Sequence, residues 1–351
     1  MAYEIDYIPV GEGEKGGDAI ALRFGNLTGP RTEQTVIVID GGTKESGETL
    51  VNHIKTYYGT EIVDVVFCTH PDADHASGLT VVLEKLNVTT LAMHRPWEHA
   101  EDIKKHFVNG RITSSGLSDK LEKALQHASD LEAIAKKKGV QIVEPFQGVT
   151  GFNDALHVLG PSKEYYQGLL AHFRSTPEPV AALGFLAPAV RAIETVAKKI
   201  QDFIHIDLLD DDTDSTSAEN NSSAIVFLNI DGHKILFTGD AGKTALHLAA
   251  DYADTKGIVL TGLNLLDVPH HGSKRNMSSK VLKRINGVIA SISAPQNSDK
   301  HPSKKVINGL KKYGALVYVT KNMTLCHPHL APTRQGWGPA VQEPFHDYVE
   351  E

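Results

Sequence analysis

Residues Cys68–Leu79 read CTHPDADHASGL and crowd two imidazoles and two carboxylates, His70, Asp72, Asp74 and His75, into six positions. An apolar run, VDVVF, precedes them and a helical pattern, TVVLEKL, follows. In extended backbone alternate side chains share a face, so His70, Asp72 and Asp74 converge while His75 opens the next helix. Imidazoles and carboxylates are metal donors, but one short motif rarely completes a coordination shell. Two other strand ends supply more. LFTGDAG sets Asp240 after a strand, between glycines that permit a sharp turn, and DVPHHGS sets His270 and His271 after another. A lone aspartate there is usually a turn or cap residue, and a lone histidine pair usually lies on the surface. Three such strand ends beside apolar runs would instead bury polar groups unpaired, at several kcal/mol. A metal centre is the expectation.

Its surroundings suggest the substrate. HHGSKRN puts Ser273, Lys274 and Arg275 directly after the histidine pair, and cations with a hydroxyl are suited to phosphate oxygens. A helix that begins near His75 aims backbone N–H groups at the same place and favours anions. His94 and His99 are expected in the core or on the surface.

The elements must bring these strand ends together. AIALRF and TVIVID read as strands, the second ending on the Asp40-Gly41-Gly42 turn. A helix over GETLVNHIKTYYG leads to the strand IVDVVFCT, and LAMHRP reads as another strand. Residues 101–138 read as helical and end on a C-terminal glycine. VQIVEP and ALHVLGP are strand-like. From about 163 to 219 the rhythm breaks. Val190, Ile193, Val196, Ile200 and Phe203 recur at helical spacing, and the acidic run DLLDDDTDSTSAENNSS reads as a solvated loop. Asp231-Gly232 signals a hairpin between SAIVFLNI and HKILF. Alternating helices and strands follow up to ALVYVTK, then a Pro/Gly-rich tail. Two α/β halves around a helical insert predict layered packing.

Composition narrows the function. The chain has 351 residues, 41% hydrophobic and 22% charged, as expected of a globular protein. A formal charge of −8 argues against nonspecific coating of DNA while leaving room for a local basic cleft. Two cysteines, Cys68 and Cys326, make no disulfide framework, so a cytoplasmic setting is expected. No basic stretch followed by an apolar core marks a signal peptide, and no run of about 18 apolar residues marks a membrane span.

The order of D-G-G, H-x-D-x-D-H, T-G-D and H-H-G resembles the metallo-β-lactamase superfamily. The resemblance is strongest to the hydrolase domain of competence DNA-uptake channels of the ComEC type. It rests on Gly17-Asp18-Ala19-Ile20, Ile39-Asp40-Gly41-Gly42, Thr69 to His75, Asn220-Asn221-Ser222-Ser223, Leu236 to Asp240, Val268 to Ser273 and His301-Pro302. Phosphorylcholine esterases of the superfamily are similar in carrying Asp at the second motif position. The resemblance implies a four-layer αββα sandwich with a helical insert at about 163–219, a hydrolase domain over 1–325 and an extension over 326–351. It implies two divalent cations, one held by His70, Asp72 and Asp240, the other by Asp74, His75, Asp240 and one of His270 and His271. Asp72 stands where the superfamily usually has histidine, and Asn220 or Asn221 stands where a further histidine is expected. Such oxygen-rich sites make manganese or magnesium a rival to zinc. Asp18 and Asp40 would orient neighbours, Asn221 would contact substrate, Asp74 would also orient water, and His301 would assist the leaving group.

The implied activity is metal-assisted hydrolysis of a phosphodiester, a nucleic acid or a nucleotide derivative. Hydrolysis of a carbonyl ester, thioester or lactone is the alternative on the same fold, and a degenerate metal-binding interaction module is a third. The insert would serve as lid, dimer surface or partner-binding element.

Overall fold

The computed structural model describes residues 1–11, 16–107, 113–174, 176, 209 and 211–349. Two seven-stranded sheets face each other. The first contains β1 (Ala2–Tyr7), β2 (Ala19–Gly25), β3 (Gln34–Gly41), β4 (Ile62–Cys68), β5 (Asn87–Met93), β6 (Gln141–Val143) and β14 (Leu325–His329), in the order β14-β1-β2-β3-β4-β5-β6. The second contains β7 (Thr150–Gly151), β8 (Leu156–Gly160), β9 (Ile225–Ile230), β10 (His233–Phe237), β11 (Leu263–Asp267), β12 (Gly287–Ile292) and β13 (Leu316–Val319), in the order β13-β12-β11-β10-β9-β8-β7. In each sheet four neighbouring strands run parallel, β3 to β6 in one and β10 to β13 in the other.

Alternation decides which side chains meet between the sheets. Ile5, Tyr7, Ile20, Leu22, Ile37 and Ile39 from the first sheet pack against Val158, Val226, Leu228, Ile235, Phe237 and Leu265 from the second. The opposite faces carry a second apolar layer under the helices, which are α1 (Lys44–His53), α2 (Ala73–Lys85), α3 (Ser114–Ala124), α4 (Gln126–Lys138), α5 (Lys163–Leu170), α6 (Lys243–Thr255), α7 (Ser279–Arg284) and α8 (Lys304–Lys312). The result is the expected αββα sandwich. The chemistry-bearing segments follow the C-terminal ends of β3, β4, β10, β11 and β12, where open α/β sheets place ligand sites.

Several elements differ from the sequence expectation. The long helix of residues 101–138 is chiefly two helices, α3 and α4, meeting at Leu125, which leaves αR with ψ of 45°. The expected helix after Gly42 ends in a single π-turn, Ile54–Tyr58, closed by left-handed Gly59. Strands β1 and β14 were unforeseen and pair with each other. Charged Glu4 and Asp6 hide the apolar pattern of β1, and Pro328 hides that of β14, where an edge position tolerates proline. Residues 326–329, expected in the extension, thus complete a sheet, and 331–349 carry no helix or strand.

Burial of Glu4 and Asp6 is compensated. Arg23 Nε donates to Glu4 Oε1 at 2.6 Å, and Arg334 of the tail donates to both Asp6 oxygens at 2.7 and 2.8 Å. The Arg334 guanidinium also lies 4.7 Å from the ring centre of Trp337 and 4.8 Å from that of Tyr57. The acidic run is anchored rather than freely solvated: Asp214 Oδ2 accepts from Thr244 N at the start of α6, and Lys243 Nζ donates to the carbonyl of Asp211. The apolar helical pattern over Val190–Phe203 lies outside the described residues.

Candidate metal centre

Asp240 is the focus of the site. It follows β10 on the turn Thr238-Gly239-Asp240, where Gly239 has φ of 50°. A side chain at Gly239 would have to place its Cβ 2.7 Å from Thr69 Oγ1, so glycine is required both for the turn and for the close approach of the β4 end. Asp240 is buried. Its Oδ1 faces Nε2 of His75 at 3.4 Å and of His271 at 3.8 Å. Its Oδ2 faces Nε2 of His70 at 3.7 Å and of His270 at 3.6 Å. Each carboxylate oxygen is therefore flanked by two imidazoles.

The outer nitrogens reveal the protonation of these rings. Asp40, at φ of 54° near the end of β3, accepts from Thr69 N at 2.8 Å and from Thr69 Oγ1 at 2.6 Å. It also lies 2.8 Å from His75 Nδ1, which must donate to it. The Thr69 hydroxyl hydrogen is spent on Asp40, so His70 Nδ1, 3.1 Å from that oxygen, is a donor as well. His271 Nδ1 donates to the carbonyl of Ser293 at 2.9 Å. Asn276 gives its amide hydrogens to the carbonyls of Asp240 and Ala241, which leaves its Oδ1 to accept from His270 Nδ1 at 3.0 Å. With all four Nδ1 atoms donating, the neutral rings present four Nε2 lone pairs to one carboxylate.

That arrangement demands positive charge. His70 Nε2, His75 Nε2, His271 Nε2 and Asp240 Oδ1 are buried without a hydrogen-bond partner among the described residues. Without a cation, protons take its place. Burial pushes the His75 and His271 imidazoles down, yet Asp240 with Asp40 lifts His75 well above its usual value, and Asp240 with Asp18 lifts His271 to about 9. Burial would raise the Asp240 carboxyl, but His270, His75, His271 and His70 outweigh it and hold it far below the carboxylate range. Beneath the centre, burial and neighbouring Asp18 lift the Asp267 carboxyl well above its usual range, so it adds no negative charge there. The buried orphans and the donor chemistry fit divalent cations.

The expected site residues separate into those that converge and those that do not. Asp74, in the first turn of α2, has a carboxylate oxygen within 4.8 Å of ring nitrogens of His75 and His271. Gly17, at φ of 125°, lets β2 approach it, since a Cβ there would lie 1.8 Å from the carbonyl oxygen of Asp74. Both His270 and His271 reach Asp240, where one was expected. Asp72 turns to Arg174, which donates to both its oxygens at 3.0 Å, and Arg174 Nε also donates to buried Glu219 at 3.1 Å. Asn220, rather than Asn221, faces the centre. Its Nδ2 donates to Asp240 Oδ2 at 3.1 Å, whereas Asn221 Nδ2 points to the carbonyl of Thr216 at 3.4 Å. The Ala218–Asn221 helical turn rotates the two amides apart. Arg174, Glu219, Asn276 and Ser293 escaped the sequence analysis; Asn276, six residues past His270 in HHGSKRN, carried the only local signal.

Ser273, Lys274, Arg275 and His301 do come together. They line, with His270, a cavity of about 810 Å³ that opens beside the centre. The His301 ring lies 5.5 Å from that of His270. His94 and His99 lie elsewhere: His94 is stacked on Tyr166 at 4.4 Å, and His99 Nε2 meets Glu144 at 3.1 Å.

Residues 29–162 match the family described as the metallo-beta-lactamase superfamily. Over that stretch the chain is similar to the metallo-β-lactamase superfamily. The matched stretch includes Asp40 and His70 to His75, while Asp240, His270 and His271 lie beyond it. Among solved structures, the chain is similar to a diphosphatase of the PhnP family, with 11% identity over 93% of this chain and 99% of that one and a TM-score of 0.40. It is also similar to a long-form RNase Z from yeast, with 12% identity over 92% of this chain and 41% of that one and a TM-score of 0.40. A metallo-beta-lactamase mutant from Cronobacter sakazakii shares 10% identity over 74% of each chain, with a TM-score of 0.32. No curated protein matches the sequence. Among the described residues, no helix is long and apolar enough to cross a membrane.

Proposed function

We propose that the chain is a metal-dependent phosphodiesterase, in keeping with its motif resemblance to DNA-uptake hydrolase domains. The observation that carries this is the flanking of each Asp240 oxygen by two imidazole Nε2 atoms, beside a cavity rich in cations. Asp240, Asp74, His70, His75, His270 and His271 would hold two divalent cations. Such cations supply Lewis acidity and lower the pKa of water at neutral pH. With Asp72 held by Arg174, the donor set is richer in nitrogen than the sequence suggested, which supports zinc over manganese or magnesium.

The remaining steps belong to the protein. Ser273, Lys274 and Arg275 bind the non-bridging oxygens and offset the charge that builds on them. Burial opposes ionisation of Asp74, but His75, His271 and His70 help hold its carboxyl below the usual range. Asp74 is therefore anionic at neutral pH and can take the proton of the attacking water. His301, whose ring lies 5.5 Å from that of His270, would return a proton to the departing alkoxide. One P–O bond forms, one breaks, and a phosphomonoester and an alcohol leave.

The test is hydrolysis of bis(p-nitrophenyl) phosphate, DNA and RNA by zinc- or manganese-loaded protein, with chelated protein as control. Metal-dependent release of a phosphomonoester is expected. Rapid turnover of lactones or thioesters, with every phosphodiester left intact, would replace this reading.

A further inference from the structure

His270 and His271 hold left-handed backbone in succession, at φ of 50° and 55°, and Gly272 follows at 78°. Residues other than glycine keep such conformations only where their surroundings over-determine them. Here the backbone is clamped on both sides. His270 N donates to the carbonyl of Gly239 at 3.1 Å, and the Gly272 carbonyl accepts from Ser303 N at 3.0 Å. Two adjacent rings thereby reach one carboxylate, Asp240. They are not equally secured. The His271 side chain is 5% exposed, and its Nδ1 is held by the Ser293 carbonyl. The His270 side chain is 27% exposed and borders the cavity.

Asn276 supplies what the His270 ring lacks in packing. It is fully buried in the turn between Gly272 and α7, where its N–H donates to the carbonyl of Ser273 at 3.1 Å. Its side chain spans two segments. Nδ2 donates to the carbonyls of Asp240 at 2.9 Å and Ala241 at 3.2 Å, while Oδ1 lies 3.0 Å from His270 Nδ1. Carbonyls only accept, so the amide cannot turn over without setting oxygen against oxygen. Oδ1 is therefore fixed as an acceptor, and the ring must bring it a proton. Asn220 Nδ2 lies farther from the same ring nitrogen, at 3.3 Å, and donates to Asp240 Oδ2. With its proton on Nδ1, His270 turns the lone pair of Nε2 to Asp240. One amide thus ties the turn that carries Asp240 to a ring that faces it, although the two follow different strands, β10 and β11.

We propose that Asn276 is a positioning residue of the metal centre, which fixes the tautomer and direction of His270 and locks that ring to the Asp240 turn. This rests on the metal-dependent reading and explains how a partly exposed histidine serves beside a buried one.

The experiment uses the full chain. In zinc-free protein, imidazole nitrogen shifts read by NMR locate the His270 proton. Competition with a chromophoric chelator gives zinc affinity, and circular dichroism checks folding. Wild type should carry the proton on Nδ1. Asn276→Ala should move it to Nε2 and weaken zinc binding about 10–100-fold. Asn276→Asp keeps an acceptor for Nδ1 and should keep the tautomer. Because Asn276 acts through His270, its removal should cost nothing further in a His270→Ala background, a result that a merely structural role would not give. A folded Asn276→Ala with the wild-type tautomer or zinc affinity, or a loss that persists without His270, would overturn the proposal. Should Asn276→Ala fail to fold, wild type and Asn276→Asp decide: a proton on Nδ1 in both upholds it, and one on Nε2 in either overturns it. Should wild type bind no zinc, the metal-dependent reading falls and the tautomer alone decides: a proton that leaves Nδ1 in Asn276→Ala upholds the hold on His270, and one that stays overturns it.

Discussion

Asp40→Asn isolates the contribution of one carboxylate that lies behind the site. Three donors converge on Asp40: Thr69 N on Oδ1, and Thr69 Oγ1 with His75 Nδ1 on Oδ2. Asparagine tolerates the left-handed backbone at this position, so the fold should survive. Its amide, however, has only one oxygen to offer. If that oxygen serves Thr69 N, the NH2 group faces His75 Nδ1 and forces it to accept. The ring proton then moves to Nε2 and points at Asp240, in the direction from which a cation would be held. If the oxygen serves His75 instead, the NH2 group opposes the N–H of Thr69 and a buried bond is lost. Removing a partner of this kind behind a metal-binding histidine typically costs about 10–100-fold in affinity, or about 1.4–2.7 kcal/mol. Competition with a chromophoric chelator measures this, with circular dichroism as the check on folding. A folded variant with wild-type zinc affinity would refute the tautomer assignment at His75.

Other outcomes follow from the same structure. Arg334→Ala leaves Asp6 short of a partner in a buried cluster and should cost about 3–5 kcal/mol of stability by urea denaturation. Burial opposes ionisation of Asp6, but His53 and Arg334 overcome it and hold the carboxyl far below its usual range. The stability it contributes is therefore present above the unfolded pKa of about 3.9 and lost as pH falls through the folded value, so the deficit of the variant should shrink in acid. Lys274→Ala with Arg275→Ala should raise KM about tenfold and leave metal content intact, as atomic absorption would show. Zinc binding at neutral pH should release protons, because His75 and His271 hold them in the metal-free chain; calorimetry in buffers of different ionisation enthalpy measures the number. Those protons stabilise the metal-free fold fully below the unfolded histidine pKa of about 6.5, a contribution that for His271 is lost as pH rises through about 9.

The parts legible in sequence were those written in local pattern. Apolar strands that end in D-G-G, T-G-D and H-H-G foretold both the sandwich and the edge at which the donors gather, because strand, turn and donor are contiguous there. Contacts made across the chain were not legible. Nothing near Asp72 announces that Arg174, 102 residues away, takes its carboxylate. Asn220 and Asn221 look alike in sequence, and a single helical turn decides which faces Asp240. Strands β1 and β14 escaped notice because Glu4 and Asp6 are buried against Arg23 and Arg334, a pairing that no periodicity records. The acidic run looked like a solvated loop because its anchors, Lys243 and Thr244, follow it by some 30 residues.

The central claim is that Asp240 joins two cations between four imidazoles. Metal content of the purified, zinc-equilibrated chain and of Asp240→Asn, read by mass spectrometry alongside hydrolysis of bis(p-nitrophenyl) phosphate, tests it most directly. About two zinc ions per wild-type chain are expected, with loss of metal and activity in a variant that remains folded. An Asp240→Asn protein with wild-type metal content and rate would contradict the account.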